Sequence, residues 1–211
     1  MNLTVEVVSD VICPWCYIGK RRLEKAIAAV EGQHVRVRWL PFQLNPTMPS
    51  EGISRREYRV KKFGSWERSL ELDAQVAAGG AAEGIHFAFD RIERTPNTLD
   101  AHRLIWLADK EGVQDAVVEA LFRAYFTDGR DISNSQTLIN VVAEGGLDRK
   151  RAESLLNNDE GMEAIKEAGE LSRRHQVNGV PFFIVNSQIT LGGAQRQEAF
   201  LEAFKQAVAL H

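Results

Sequence analysis

Leu3, Val5 and Val7 alternate with Thr4 and Glu6, the two-residue period of a strand. The alternation breaks at Ser9-Asp10, and from Pro14 the spacing lengthens to that of a helix. Leu23, Ile27 and Val30 fall at i, i+4 and i+7, and Gly32 is expected to end the run. Val35, Val37 and Trp39 then alternate with Arg36 and Arg38 in a second strand limited by Pro41. The start of the chain therefore reads strand–helix–strand, and a right-handed crossover would lay the two strands parallel.

From about Arg55 to Gln176 the pattern is almost wholly helical. One segment carries Leu104, Ile105, Trp106 and Leu107 and is entered through Thr95-Pro96-Asn97-Thr98. A second carries Val117, Leu121 and Tyr125, and a third Leu138, Val141 and Val142. Asp148 opens a fourth that reaches Leu155 and Leu156, and Ile165 and Leu171 mark a fifth. Glycines at 79–80, 129, 145–146 and 179 separate these runs. Strand patterning returns in Phe182-Phe183-Ile184-Val185, a turn at Asn186-Ser187-Gln188, and a second short run from Ile189 to Leu191. Phe200, Phe204 and Val208 form the stripe of a closing helix. No proline- or serine-rich linker marks a free-standing domain, so the helical stretch is expected to be an insertion within one α/β unit.

The chain has 211 residues, 44% hydrophobic and 26% charged, with a net charge of −3. That supports a globular core and provides no polybasic field for nucleic acid or an anionic membrane. The nearest approach to one is Arg55, Arg56, Arg59, Lys61 and Lys62, which reads more simply as a solvated helix face. No stretch approaches the roughly 20 apolar residues of a bilayer span. The amino-terminal MNLTVEVVSDVI lacks the basic and apolar regions of a secretory signal. The expected location is the cytoplasm.

There are two cysteines, Cys13 and Cys16, in the string CPWC. A disulfide-stapled scaffold would use more, spread along the chain. If Cys13 caps a helix and Pro14 enters its first turn, Cys16 lies one turn on, about 5–6 Å away and within disulfide reach. Proline there sacrifices no hydrogen bond. The helix start presents unpaired N–H groups and the positive dipole end, which favour a thiolate; thiols in such motifs have pKa values of roughly 3.5–7.5. This reading makes Cys13 the exposed nucleophile at the tip and Cys16 the buried resolving thiol. Trp15 either shapes the contact surface or is simply half-buried. Lys20, Arg21 and Arg22 read as a solvated face rather than a source of positive potential. A zinc half-site would need two further ligands, and His34, His86, His102, His175 and His211 are scattered with no paired spacing.

Gly179-Val180-Pro181 precedes the final strand pair. On spacing alone Pro181 is a strand-start proline. The chain as a whole, however, resembles the FrnE-like branch of the DsbA family of thioredoxin-fold oxidoreductases. The strings that carry the resemblance are VSDVICPWCYIG (8–19), TPNTLDAHRL (95–104), ALFRAYFTDGRDI (120–132), NGVPFFIVN (178–186) and GGAQ (192–195). The resemblance implies an α/β thioredoxin fold, DsbA-like, with a large all-helical insertion: residues 1–45 and 172–211 as the thioredoxin-like part and 46–171 as the insertion, roofing the cysteines to form a groove. It also implies that Cys13 and Cys16 are the redox pair and that Val180-Pro181 is a cis-proline loop. Pro14, Trp15, Val180 and Pro181 are the expected substrate contacts. Asn97 reads as a cap for the helix starting near Thr98, and His102 as a hydrogen-bonded helix histidine; contact with substrate and acid–base chemistry are the respective alternatives.

The function expected is thiol–disulfide exchange with a protein, peptide or small thiol substrate. It needs neither metal nor organic cofactor, with glutathione only as a redox partner or co-substrate, in a monomer or homodimer. The rivals are a glutathione-dependent isomerase or transferase of the 2-hydroxychromene-2-carboxylate isomerase or kappa type, which typically place serine where this chain has Cys13, and a redox-gated binding or chaperone module.

Overall fold

The computed structural model describes residues 2–30, 32, 34–174 and 177–210. The first two strands, β1 (Asn2–Ser9) and β2 (His34–Pro41), flank α1 (Pro14–Ala28) and pair in parallel, Val5 opposite Val37 and Val7 opposite Trp39. The βαβ unit expected from the pattern is therefore present. Its helix is slightly shorter than expected: Ala29 is the C-cap, and Val30 lies beyond it with its amide on the Ile27 carbonyl (3.2 Å).

The helical stretch runs as α2 (Arg55–Phe63), α3 (Trp66–Ala81), α4 (Leu99–Lys110), α5 (Gln114–Phe126), α6 (Ser135–Glu144), α7 (Arg149–Leu156) and α8 (Met162–Arg174). Residues 175 and 176, where the helical reading ended, lie outside the described residues. The nearly all-helical reading misses one feature. β3 (Ile53–Ser54) and β4 (Arg94–Thr95) pair antiparallel where the chain enters α2 and again before α4. Two-residue strands are too short to show any alternation. Gly52 sits there at φ +68°, and a Cβ on it would come within 2.5 Å of the Thr95 carbonyl oxygen, so the close crossing needs glycine.

β5 (Phe182–Val185) and β6 (Ile189–Gly192) close the sheet in the order β2-β1-β5-β6, with β5 antiparallel to β1, and α9 (Gln197–Ala209) follows. Asn186 and Ser187 both adopt positive φ, 47° and 57°, in the three-residue turn 186–188, where the Gln188 amide donates to the Val185 carbonyl at 3.0 Å. Val5, Val7, Phe183 and Val185 of the sheet share one core with Phe200 and Phe204 of α9 and with Leu104, Leu121 and Phe122 of the helical stretch. Trp39 meets Phe122 edge-on at 6.2 Å, and Tyr17 of α1 stacks on Phe122 at 5.0 Å. Full burial of a ring such as Phe122 is worth about 2–3 kcal/mol. No described helix is long and apolar enough to cross a membrane.

Lys20, Arg21 and Arg22 are not the solvated face that the sequence reading expects. Lys20 is 2% exposed; its ammonium pairs with Glu24, with Asp115 (3.1 Å) and with Glu119 (3.2 Å). Arg21 bonds Glu24 and Glu119, and the Tyr17 hydroxyl donates to Glu119 at 3.0 Å. Arg22 reaches Glu83 (2.7 Å) and the Ala194 carbonyl (2.6 Å). Glu24 is a neighbour on α1 itself; the other acceptors come from α5, from the loop after α3 and from the loop before α9. Those long-range pairings depend on tertiary neighbours, which helical periodicity cannot show. Lys20→Met would leave Asp115 and Glu119 without their shared cation beneath α1. It should lower the unfolding free energy by about 2 kcal/mol, read as a fall in the urea midpoint. Arg68→Gln, which breaks only the exposed pair with Glu71, should cost less than about 0.5 kcal/mol.

Candidate active site

Cys13 is the N-cap of α1, and Pro14 begins the helix. No side chain caps this end. The Cys13 amide instead donates to the Asp10 carbonyl (3.0 Å), and the Cys16 amide to the Cys13 carbonyl (3.0 Å). Both cysteines are free thiols. Cys16 is fully buried, and burial, reinforced by the adjoining Cys13 sulfur, pushes its thiol well above the ordinary 9.0. Hydrogen bonding with the Ser9 side chain and the Asp10 backbone opposes that shift without reversing it.

The expectation of an exposed Cys13 is corrected: the residue is only 5% accessible. The loop before β5 lies over it, and its Sγ donates to the Val180 carbonyl at 3.4 Å. The Val180–Pro181 peptide is cis. Pro181 is buried, and a Cβ on Gly19 would come within 3.1 Å of its Cγ and 3.0 Å of the Phe183 ring. Glycine at 19 therefore lets α1 approach the proline loop closely. Of the expected contact residues, Val180 thus meets Cys13 directly. Pro14 and Trp15 stand on the other side, and both line a cavity beneath the helical stretch. Trp15 is 40% exposed, and its ring comes within 3.5 Å of where a Cβ on Gly79 of α3 would be.

Asp10, which sequence reading registers only as an interruption of β1, organises this corner. It is fully buried. Its Oδ2 accepts from the Leu44 amide at 2.7 Å, and its carbonyl holds the start of α1. Its Oδ1 lies 3.3 Å from His102 Nε2, which is also 3.1 Å from the Phe42 carbonyl. Both neighbours are acceptors, so that nitrogen carries the proton. His102 is thus hydrogen-bonded within the core, at the join between β2 and α4. Asn97 caps α4 from one position before its N-cap: Oδ1 accepts the Leu99 amide (2.9 Å), while Nδ2 donates to the Met48 carbonyl (2.6 Å). Of the remaining histidines, His175 and His211 lie outside the described residues.

The cavity beside Cys13 has a volume of about 270 Å³. Arg55, Tyr58, Arg59 and Lys62 of α2 and Asp73 of α3 line it, with Phe89 and Phe126. Sequence reading misses these residues as site residues and treats the basic run as a solvated face. Arg55 is 6% exposed, and Arg55 and Arg59 share the Asp73 carboxylate at 2.6 and 2.5 Å. The only available signal was spacing: Arg55, Arg59 and Lys62 fall at i, i+4 and i+7 and so share one helix face. A larger cleft of about 670 Å³ lies between β2 and α8 but does not include the cysteines.

A CxxC at a helix start lies directly against a cis-proline loop, beside a four-stranded β2-β1-β5-β6 sheet, the architecture of a thioredoxin-type fold. Residues 4–205 match the DSBA-like thioredoxin domain, and the chain belongs to that family. It is 30% identical to a Streptomyces coelicolor protein whose crystal structure is described as a probable DsbA oxidoreductase, SCO1869; the match covers 99% of this chain and 91% of that one, with a TM-score of 0.90. The Bacillus subtilis protein YwbO, described as uncharacterized, is 26% identical over 99% of this chain and 97% of its own. The cytosolic disulfide reductase DsbM of Pseudomonas aeruginosa, solved with GSH, shares the fold at 20% identity and a TM-score of 0.66, covering 96% of this chain and 99% of its own. The protein is an enzyme of the disulfide oxidoreductase/isomerase class.

The buried Cys16 thiol has a consequence for stability. Its folded-state pKa is raised, so the native state holds the proton more tightly than the unfolded chain does. The associated stability is complete below pH 9.0 and declines as pH rises beyond it. Tyr17, pushed up to about 12 by burial and by Glu119, acts in the same direction from 10.0 upward. Under reducing conditions the unfolding free energy of the wild type should fall more steeply above pH 9.0 than that of Cys16→Ala, which lacks the Cys16 contribution. Denaturant titrations across that range check this, and equal slopes would contradict it.

Proposed function

We propose that the protein catalyses thiol–disulfide exchange, with Cys13 as nucleophile and Cys16 as resolving thiol. The observation that carries this reading is the placement of Cys13 at the N-cap of α1, its Sγ against the Val180 carbonyl of the cis-proline loop. Cys13 attacks a substrate disulfide and forms a mixed disulfide, releasing one substrate sulfur as thiolate. Cys16 then gives up its proton and attacks Cys13 Sγ, displacing the second substrate thiolate and leaving the Cys13–Cys16 disulfide. Two electrons pass from the dithiol to the substrate, and reversal oxidises a substrate dithiol.

The burial that keeps Cys16 protonated supports this division of roles, since a thiol held above 9.0 does not compete for the first attack near neutral pH. Val180 and Pro181 offer a main-chain edge to an extended substrate segment, with Pro14 and Trp15 forming the facing rim. All electrons and protons in the cycle come from the two thiols, so the proposed reaction draws on no metal or organic cofactor. Glutathione is a natural redox partner by chemistry. A lone redox pair with no structural disulfides suits a reducing compartment, and we place the reaction in the cytoplasm. Direction follows from the potential of the couple: near −120 mV the enzyme is an oxidant of the DsbA kind, and near −270 mV a reductase of the thioredoxin kind, about 5 orders of magnitude apart in equilibrium constant.

Cys13→Ser should abolish turnover of disulfide substrates, a loss of at least about a thousandfold. Cys16→Ala should retain the first attack and accumulate mixed disulfides visible as protein adducts by mass spectrometry. Full turnover in Cys13→Ser would overturn the mechanism in favour of a glutathione-dependent isomerase or transferase. Client binding that survives loss of both cysteines, without turnover in the wild type, would favour a binding module.

A further inference from the structure

The cavity that opens from Cys13 has a composition that thiol exchange alone does not require. Its walls are largely apolar: Ile12, Leu44, Val76, Phe89 and Phe126 line it together with the cysteine. Yet three cations face into it, Arg55, Arg59 and Lys62, against one carboxylate, Asp73. That carboxylate is fully engaged, Oδ2 by Arg55 and Oδ1 by Arg59. Arg59 also donates to the Ser69 hydroxyl (2.7 Å) and carbonyl (3.1 Å), and Lys62 donates to the Tyr58 hydroxyl (2.7 Å), which in turn donates a hydrogen bond to Asn45 Oδ1 (2.9 Å). Neither of these last contacts neutralises a charge.

Arg55 and Arg59, largely withdrawn from water, share a single carboxylate, and the exposed Lys62 adds a third positive charge to the lining, so the empty site carries an excess of positive charge. The Arg59 guanidinium registers this: burial and the like charge of Arg55 hold its pKa below the ordinary arginine value despite Asp73. An anionic group in the cavity would relieve the imbalance. Arginine forks also suit carboxylate, sulfonate or phosphate geometry. At about 270 Å³, the space lies at the small end of the usual ligand-cavity range of roughly 300–1,000 Å³. It has room for one aromatic or branched apolar body, not for a folded protein's disulfide loop.

We propose that this cavity binds one half of a small-molecule disulfide, its apolar body between α2, α3 and α5 and its acid group at Arg59 and Lys62, so that the substrate sulfur lies at Cys13. The proposal rests on the exchange reaction above and names its substrate class as small anionic thiols and their disulfides. The half seated in the cavity becomes the one joined to Cys13; the other departs as thiolate toward the open side, and attack by Cys16 then frees the seated half.

The test compares two chromogenic disulfides on the reduced enzyme by stopped flow: 5,5′-dithiobis(2-nitrobenzoate), an aromatic dianion, and 2,2′-dithiodipyridine, which is neutral. The ratio of the two second-order rate constants cancels any change in Cys13 reactivity. Lys62→Gln should lower the anionic-to-neutral ratio about threefold, and Arg59→Gln about fivefold or more. Arg68→Gln, whose partner Glu71 is exposed on α3, should leave the ratio unchanged. Lys62 is exposed, so its variant keeps the fold even if Arg59→Gln does not. A ratio insensitive to both cavity variants, or equally sensitive to Arg68→Gln, would overturn the proposal while leaving the redox reading intact. Failure of the wild type to react with either disulfide would instead overturn the redox reading itself.

Discussion

The hydrogen bond from the Cys13 amide to the Asp10 carbonyl fixes where α1 begins, and with it the chemistry. Asp10 ends the β1 segment and is fully buried; its carboxylate holds the Leu44 amide, just past β2. One residue therefore ties the start of the catalytic helix to the point where the chain leaves the sheet for the long helical stretch. A buried carboxylate is costly unless its oxygens are bonded. Here Oδ2 has an amide, while Oδ1, which has no hydrogen-bond partner among the described residues, lies 3.3 Å from His102 Nε2, a histidine on α4 bonded to the Phe42 carbonyl. Sheet, catalytic helix and insertion thus converge on the same few polar atoms.

From that fixed start the two thiols diverge. They are three residues apart on one helix, and no difference in residue type distinguishes them. What separates them is depth. Cys16 lies under the first turn, where desolvation holds its proton; Cys13 lies at the cap, touching the Val180 carbonyl and opening onto a cavity. The proposed order of attack rests on burial, which is a property of the packed fold. Gly19 matters for the same reason: without a Cβ there, Pro181 and Phe183 can close on α1, so the cis-proline loop lies near enough to cover Cys13.

The parts of this arrangement that local sequence encodes were legible. β1, α1 and β2 follow from alternation and helical spacing, the last hairpin from its apolar runs and Asn-Ser turn, and the dithiol from CPWC itself. The fold class and the cis-proline loop needed the family resemblance, because Pro181 by spacing alone is an ordinary strand-start proline. What remained hidden is long-range. The β3–β4 ladder joins residues about forty positions apart through two residues each. The low exposure of Cys13 depends on a loop near position 180. The charged runs at 20–22 and 55–62 look solvated in a string of letters; Arg56, Lys61 and Lys62 are exposed as that reading has it, and it is the partners Glu83, Asp115, Glu119 and Asp73, supplied by other elements, that turn residues 20–22, Arg55 and Arg59 inward.

Those two charged runs do different work, and the difference lies in their balance. Around Lys20 the carboxylates outnumber what the ammonium needs: Glu24, Asp115 and Glu119 converge on it, with Arg21 sharing two of them. Every cation there is met by carboxylates, the partners belong to α1 and α5, and the result is a joint that docks α1 against α5. Around Asp73 the ratio is reversed, two guanidiniums to one carboxylate with Lys62 nearby, and the unmatched charge borders an open volume instead of a packed interface. Cations that are fully met fix the relation between elements; a cation short of a partner beside a cavity favours whatever brings the missing charge. In the proposed reading, the same physics that anchors α1 makes the neighbouring cavity selective for the disulfides that reach Cys13.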